Sequence, residues 1–368
     1  MKVAVLTSSR ADYGIYIPLL KLLKCDDFFE LKIIAFGTHL SRYHGYTVDN
    51  IFKDGFEVSE QLETLILGDS EAAISNAMGN TISIFSSLWS KLADKLDLVI
   101  ALGDRYEMFA AVAASIPFNL RIAHIHGGET TKGAIDNKFR HSITLMSELH
   151  FTCSDLYSSR IKELIGHECP VYNVGALSLD NLSNMDLLSV DQFRKEFNID
   201  LSIPTVLSTF HPETVSVKMN ENYAKVLVDV FEELSKDFQI VITMPNADTM
   251  GSLIRDFFTK LSVSNDRVIC VENFGSLGYF SCMKHCFFIL GNSSSGIVEA
   301  ATLGKYVINV GNRQEGRLRN KNVIDVDINK SKIINAVMTV NGNYSGDNMF
   351  KNGECASQII NVLKELKY

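Results

Sequence analysis

CFFILGNSSSGIVEAATLGKYVINV, residues 286–310, is the stretch that decides the fold. An apolar run, Cys286–Leu290, ends in the turn Gly291-Asn292-Ser293-Ser294-Ser295-Gly296. A helical stretch follows, and a second apolar run closes it at Tyr306–Val310. Runs that are apolar throughout, instead of at alternate positions, belong to strands covered on both faces, and helices between such strands make the sheet parallel. Three hydroxyls and two glycines at a helix start also form a nest of backbone N–H groups suited to a diphosphate. Glu299, one turn further in, lies too deep to bind phosphate but is placed to accept two sugar hydroxyls such as those of a ribose.

The same alternation extends outward. Apolar runs at Val3–Thr7, Leu31–Gly37, Leu98–Gly103, Arg121–His126, Leu149–Cys153 and Val171–Val174 are separated by helical stretches that include Ile15–Lys24, Ala72–Lys95 and Tyr106–Ser115. A polar stretch rich in Ser, Asn and Asp interrupts it, with a short helix expected near Asp191–Phe197. The pattern resumes at Thr205–Phe210, Gln239–Met244 and Val268–Val271. The expected organisation is an α/β chain of two Rossmann-like, doubly wound parallel-sheet domains. These are residues 1–175, a connection over 176–203, residues 204–353, and a terminal helix over 354–368 placed to cross back to the first half. Two such halves imply a ligand cleft at the carboxyl ends of their strands.

Bulk properties narrow the classes. A 368-residue chain with 46% hydrophobic and 21% charged residues is globular and long enough for two cores. A net charge of −8 and a pI near 5.6 argue against nucleic acid as a partner, while a local basic cluster still permits a small anion. Seven cysteines without a CxxC pair fit a reducing compartment. MKVAVLTSSR reads as a first strand instead of a signal peptide, and no apolar run approaches the roughly 18 residues of a membrane span. A cytoplasmic location with no membrane partner is the expectation.

Polar clusters follow the strands. Thr7-Ser8-Ser9-Arg10-Ala11-Asp12 suits an anion through helix N–H groups and a guanidinium, or is a helix cap with a surface arginine; no GxGxxG is present, so the usual dinucleotide fingerprint is absent. Asp104, in Gly103-Asp104-Arg105-Tyr106-Glu107, either caps the next helix or faces the cleft as an acid–base group. His124-Ile125-His126-Gly127-Gly128-Glu129 places two histidines on one strand face and two glycines where backbone approaches a ligand; Asp136, Arg140 and His141 follow. Zinc is the rival reading there, but no third His or Cys stands nearby at a fixed spacing, so neither metal nor cofactor is expected. In the second half, Phe210-His211-Pro212-Glu213 offers a cation beside phosphate. Met244-Pro245-Asn246-Ala247-Asp248 reads as a turn with a helix cap, and Arg313, Arg317 and Arg319 form a basic loop able to stabilise a leaving diphosphate.

SSRADYG at 8–14, LGDRYE at 102–107, HIHGGE at 124–129, RHSIT at 140–144, FHPET at 210–214, NADTMGS at 246–252, GNSSSGIVE at 291–299 and GNRQEGRLR at 311–319 occur in one order across nearly the whole chain. That ordered set resembles the hydrolysing UDP-N-acetylglucosamine 2-epimerases of bacterial sialic-acid and capsule biosynthesis. The resemblance implies a glycosyltransferase-B-like fold whose two halves face one another across a cleft. It implies UDP held by Ser293 and Ser294 at the phosphates, Glu299 at the ribose, and Arg313, His211, Arg10 and Arg105 around the diphosphate. Asp104, Glu129 and Asp136 become the catalytic carboxylates, oriented by Arg140. Many relatives carry HIEGGE, so His126 and Glu129 both stand as the second acid–base group. The implied reaction expels UDP from C1 with loss of the C2 proton, giving 2-acetamidoglucal, and then hydrates it to free N-acetylmannosamine. A homodimer or homotetramer is implied as well. The alternatives are a hydrolysing 2-epimerase of UDP-N,N'-diacetylbacillosamine, a non-hydrolysing epimerase, a UDP-sugar glycosyltransferase, and a non-catalytic UDP-sugar sensor.

Overall fold

The computed structural model describes residues 1–245 and 250–366. The turn expected at Asn246–Asp248, and with it most of NADTMGS, lies outside the described residues. The chain divides into two compact units. The first comprises Met1–Glu129, Asp136–Ser183 and the chain from Phe350 onward; the second comprises Thr130–Ile135 and Asn184–Met349.

The first unit opens with β1 (Lys2–Thr7), α1 (Arg10–Cys25), β2 (Glu30–Phe36), α2 (Val48–Lys53), β3 (Glu60–Leu62), α3 (Glu71–Leu92) and β4 (Leu98–Leu102). It continues with α4 (Tyr106–Ala113), β5 (Ile122–Ile125), α5 (Asp136–Leu145), β6 (Leu149–Thr152), α6 (Asp155–Ile165), β7 (Val171–Asn173) and α7 (Leu177–Ser183). Its strands form one sheet in the order β3-β2-β1-β4-β5-β6-β7, parallel throughout. The apolar runs are continuous because successive residues feed opposite layers. Val3 and Val5 pack with Ile33 and Ile100 against Tyr16, Leu19 and Leu23 of α1, whereas Ala4 and Leu6 pack with Ile34 and Val99 toward Phe85 and Trp89 of α3.

In the second unit come α8 (Val190–Phe197), β8 (Thr205–Thr209), α9 (Asn220–Leu234), β9 (Gln239–Thr243), α10 (Gly251–Ser264), β10 (Val268–Val271) and α11 (Gly275–His285). Then follow β11 (Phe288–Gly291), α12 (Ser294–Val298), β12 (Val307–Val310), β13 (Val323–Val326) and α13 (Lys330–Val337). The sheet order is β10-β9-β8-β11-β12-β13, again all parallel. A last helix, α14 (Cys355–Glu365), belongs to the first unit, where Ile359, Ile360 and Leu363 enter the same layer as α1. Its free N–H groups are met from α7: Asp180 accepts from the amides of Cys355 at 3.0 Å and Ala356 at 2.6 Å.

Both sheets have the doubly wound order, in which the chain reverses direction between β1 and β4 and again between β8 and β11. Ligands of such sheets bind beyond the carboxyl ends of those strands. Ser8–Arg10 and Gly103–Arg105 occupy that position in the first unit, and Phe210–His211 and Gly291–Ser295 occupy it in the second.

Several elements depart from the sequence reading. α1 begins at Arg10 instead of Ile15, because Ser9 and Asp12 form a capping box that starts the helix early. The strands β3 and β13 were not expected; both are short sheet edges, and neither has a fully buried residue to produce a continuous apolar run. Among the described residues, no helix is long and apolar enough to cross a membrane.

Candidate active site

The turn after β1 is the first place where the structure alters the reading. Asp12 turns back onto it: one carboxylate oxygen accepts from Thr7 Oγ1 at 2.9 Å, Ser9 N at 2.9 Å and Tyr13 N at 2.8 Å. The other accepts from Ser8 N at 2.8 Å and Ser8 Oγ at 2.9 Å. The hydroxyls and amides expected to receive an external anion therefore already hold an internal one; Arg10 is half-buried at the start of α1. Beneath it, His39 bridges Thr7 and Thr47 through its two ring nitrogens at 2.9 Å each. Burial holds its pKa below the ordinary histidine value despite the nearby Asp12.

Beyond β4, Arg105 and not Asp104 occupies the cap position of α4, and it makes no side-chain cap. The Asp104 carboxylate instead pairs with the guanidinium of Arg140, which rises from α5 and is only 1% exposed. Arg140 also donates to the main-chain oxygen of Glu129 at 3.3 Å and to Asn137 Oδ1 at 3.4 Å. Arg105 is held bidentately by buried Glu107 at 3.0 and 3.2 Å. Asp136 opens α5 four residues before Arg140, which puts both on one helix face.

His124 and His126 prove to be unlike. His124 is fully buried on β5, and its Nε2 lies 2.8 Å from the Gly103 carbonyl, an acceptor only, so Nε2 carries the hydrogen. Nδ1 then accepts from Thr144 Oγ1 at 3.1 Å. Burial pushes the His124 pKa down to about 3, so it is a neutral strut between the end of β4 and α5. His126 lies past the strand end at φ +65°, where strand alternation no longer sets its direction. Its Nδ1 meets Glu129 Oε1 at 3.2 Å, and the same oxygen accepts from the Cys153 thiol at 3.5 Å. The two glycines between them serve the chain itself: a Cβ on Gly127 would stand 2.9 Å from His124 Nδ1, and one on Gly128 2.5 Å from the Tyr157 carbonyl.

In the second unit, Asn292 clamps the ends of β8 and β11 together. Its amide accepts from His211 N at 2.7 Å and donates to His211 O at 2.8 Å. Its carbonyl in turn accepts from Arg313 Nη1 at 3.3 Å and Gln314 Nε2 at 2.8 Å. Buried Glu213 accepts from Asn312 N at 2.6 Å, and a Cβ on Gly311 would come within 2.5 Å of that carboxylate. His211, Arg313 and the serine turn are thus built on one buried frame. Ser293 caps α12, accepting from Ser295 N at 3.4 Å, while Ser294 is exposed and Glu299 buried. α12 is little more than one turn long, so its N-terminus offers local N–H groups more than an accumulated dipole. Burial, opposed by hydrogen bonds from Thr209, Ser293 and Ser295, pushes the Tyr279 hydroxyl up to about 12. Thr130–Ile135 completes this unit: Lys132 N donates to Glu315 O and Ile135 N to Thr214 Oγ1, both at 2.9 Å.

Cys153, Glu107, Thr144, Asn292, Gln314 and Tyr279 were not singled out from the sequence. Glu107, Thr144, Asn292 and Gln314 stood inside quoted motifs without an assigned role, whereas Cys153 and Tyr279 lie outside all of them.

A family description, UDP-N-acetylglucosamine 2-epimerase, matches residues 21–364. The chain is 35% identical to the GDP/UDP-N,N'-diacetylbacillosamine 2-epimerase (hydrolyzing) of Campylobacter jejuni, over 89% of this chain and 85% of that one. It is 31% identical to the UDP-N,N'-diacetylbacillosamine 2-epimerase (hydrolyzing) of Legionella pneumophila, over 90% and 87% of the two chains. It is also 31% identical to polysialic acid biosynthesis protein P7 of Escherichia coli, over 91% and 85%. Among solved structures, the UDP-GlcNAc 2-epimerase of Neisseria meningitidis bound to UDP-GlcNAc superposes with a TM-score of 0.82 over the full length of both chains; at 18% identity this speaks for the fold.

Proposed function

The chain belongs to the UDP-N-acetylglucosamine 2-epimerase family, and on that premise we propose that it is a hydrolysing 2-epimerase of a UDP-linked acetamido sugar, releasing UDP and the free C2-inverted sugar. The observation that carries this reading is the buried Arg140, which ties the Asp104 carboxylate to the turn bearing Glu129, with Asp136 on the same helix face. A nucleotide-binding protein without chemistry has no use for a carboxylate fixed on a buried guanidinium that also holds the turn bearing a second one.

The substrate ranks differently from the expectation drawn from sequence. UDP-N-acetylglucosamine stood first there. The hydrolysing relatives at 35% and 31% identity are named for UDP-N,N'-diacetylbacillosamine, which favours that diacetamido sugar. UDP-N-acetylglucosamine is the second reading, favoured by the likeness to the polysialic acid protein.

In the second unit, Ser293, Ser294, His211 and Arg313 bind the diphosphate and Glu299 takes the ribose hydroxyls; the acid–base groups belong to the first unit. The C2 proton is not acidic, so cleavage of the C1–oxygen bond leads. The departing UDP carries away the bonding pair, its charge met by the arginines and turn amides, and carboxylate steadies the positive charge left on the ring. Loss of the C2 proton to a carboxylate gives the glycal. Water then adds at C1 while C2 receives a proton from the other face. Inversion requires acid–base groups on both faces, a requirement met by Asp104 and Asp136 with Glu129 and its partner His126.

The test is incubation with each UDP-sugar in heavy water, followed by NMR. The expected products are UDP and a free, C2-inverted sugar deuterated at C2, formed faster from the diacetamido substrate. A product still linked to UDP would identify a non-hydrolysing epimerase, and no turnover of either substrate would favour a sensor.

A further inference from the structure

One constellation in the first unit contains more than a carboxylate and its hydrogen bonds. An imidazole nitrogen of His126, a carboxylate oxygen of Glu129 and the sulfur of Cys153 all lie within 4.8 Å of one another, and Glu129 and Cys153 are buried. Zinc bonds of about 2.0–2.3 Å to these donors place tetrahedral ligands roughly 3.3–3.6 Å apart. The observed separations from Glu129 Oε1 are 3.2 Å to His126 Nδ1 and 3.5 Å to Cys153 Sγ. The donors come from the fixed end of β6 and from a turn held by Gly127 and Gly128, with His126 pinned at φ +65° by its N–H bond to Phe151 O at 2.9 Å. The other ring nitrogen of His126, Nε2, is buried with no hydrogen-bond partner among the described residues, so the imidazole's one fixed partner is at Nδ1, the nitrogen that faces Glu129.

We propose that His126, Glu129 and Cys153 form a three-ligand site for a thiophilic divalent cation of the zinc type, its fourth position left to water. A thiolate and a carboxylate balance the charge of such an ion, and the nearby Arg140 is already opposed by Asp104. On binding, the Cys153 S–H bond breaks, its proton passes to solvent, and sulfur donates its pair to the metal with no change of oxidation state. Because Glu129 belongs to the proposed catalytic set, occupancy shuts the epimerase off; that consequence rests on the functional reading above, whereas metal binding does not.

Cobalt(II) is the probe, added to the full chain and then displaced with zinc. One ion per chain with a thiolate-to-cobalt charge-transfer band is expected, and Cys153→Ser abolishes the band and weakens binding at least about tenfold. Zinc stops UDP release by the wild-type chain, a chelator restores it, and Cys153→Ser is correspondingly less sensitive. Cobalt bound without a thiolate band, no cobalt bound, or a band that survives Cys153→Ser overturns the site. The wild-type band is diagnostic even where the variant folds poorly. A band in a chain that turns over no UDP-sugar upholds the metal site and overturns the enzymatic reading instead.

Discussion

Arg140 has its guanidinium almost wholly enclosed, so whatever removes Asp104 acts on stability as well as chemistry. Asp104→Asn keeps an oxygen for the guanidinium to bond but withdraws the counter-charge. It should lower kcat at least about a hundredfold, as expected for loss of an acid–base group, while the protein still melts cooperatively. Arg140→Ala strips the fixed partner from Asp104 and empties buried volume, and should cost about 3 kcal/mol in denaturant titration. An Asp104→Asn variant that releases UDP at the wild-type rate would remove Asp104 from the mechanism. His124 makes a separate prediction. An unfolded histidine titrates near 6.5, but burial drives folded His124 to about 3, so the unfolded chain takes up a proton that the folded chain refuses. Its contribution leaves stability intact above about pH 6.5 and subtracts from it as pH falls toward 3. His150, pushed down to about 4 by burial, acts with the same sign. His124→Gln should therefore flatten the fall of Tm across that window; an equally steep fall would mean that other groups carry it. At this scale the family resemblance named the candidate carboxylates and Arg140 as their orienting group, but nothing in the sequence pointed to Cys153 as a partner of Glu129. Asp104 and Glu129 stand in short runs, while Arg140 and Cys153 reach them from α5 and the end of β6, 36 and 24 residues away.

Strands and turns were legible in proportion to how far local residues determine them. Continuous apolar runs located the central strands of both sheets, because burial on both faces leaves no polar position to confuse the pattern. The edges β3 and β13 escaped, since a half-covered strand of three or four residues resembles a loop. GNSSSG was conspicuous for its hydroxyls, yet its first glycine answers to packing: Gly291 has φ +156°, and a Cβ there would lie 2.2 Å from the Thr209 carbonyl of β8. Gly291→Ala should force β8 and β11 apart, costing more than about 2 kcal/mol in thermal or denaturant unfolding and disturbing the Asn292 clamp on which Arg313 depends. UDP affinity should fall with it. If that variant were stable and bound UDP normally, the close strand approach would not be what fixes the turn. Asp180 gives the helical counterpart, with its carboxylate on the first two amides of α14. Asp180→Ala should cost about 1–2 kcal/mol, and hydrogen exchange at the start of α14 should rise before exchange in β1 does.

Neither compact unit is one continuous piece of sequence. The chain enters the second unit for Thr130–Ile135 alone, returns at Asp136, leaves again after Ser183, and comes back at Phe350. Amphipathic patterning shows that α14 has an apolar face, but not which core receives it. The receiving surface is α1 and α7, with Phe350 O accepting from Ala176 N at 2.9 Å and Asn352 Nδ2 donating to Asn173 O at 2.9 Å on the way in. Ile359, Ile360 and Leu363 are the large aliphatic side chains that α14 buries. At about 1.5–3 kcal/mol each they supply roughly 5–9 kcal/mol, comparable with the whole stability of an ordinary domain of about 5–15 kcal/mol. A fragment of residues 1–183 should therefore fail to unfold cooperatively and should bind hydrophobic dye, even though it carries every strand of its sheet. Joining residues 350–366 to it through a flexible linker should restore a sharp transition, and Leu363→Asp in that joined fragment should abolish it again. A cooperative melt from residues 1–183 alone would show that α14 decorates the first core instead of completing it.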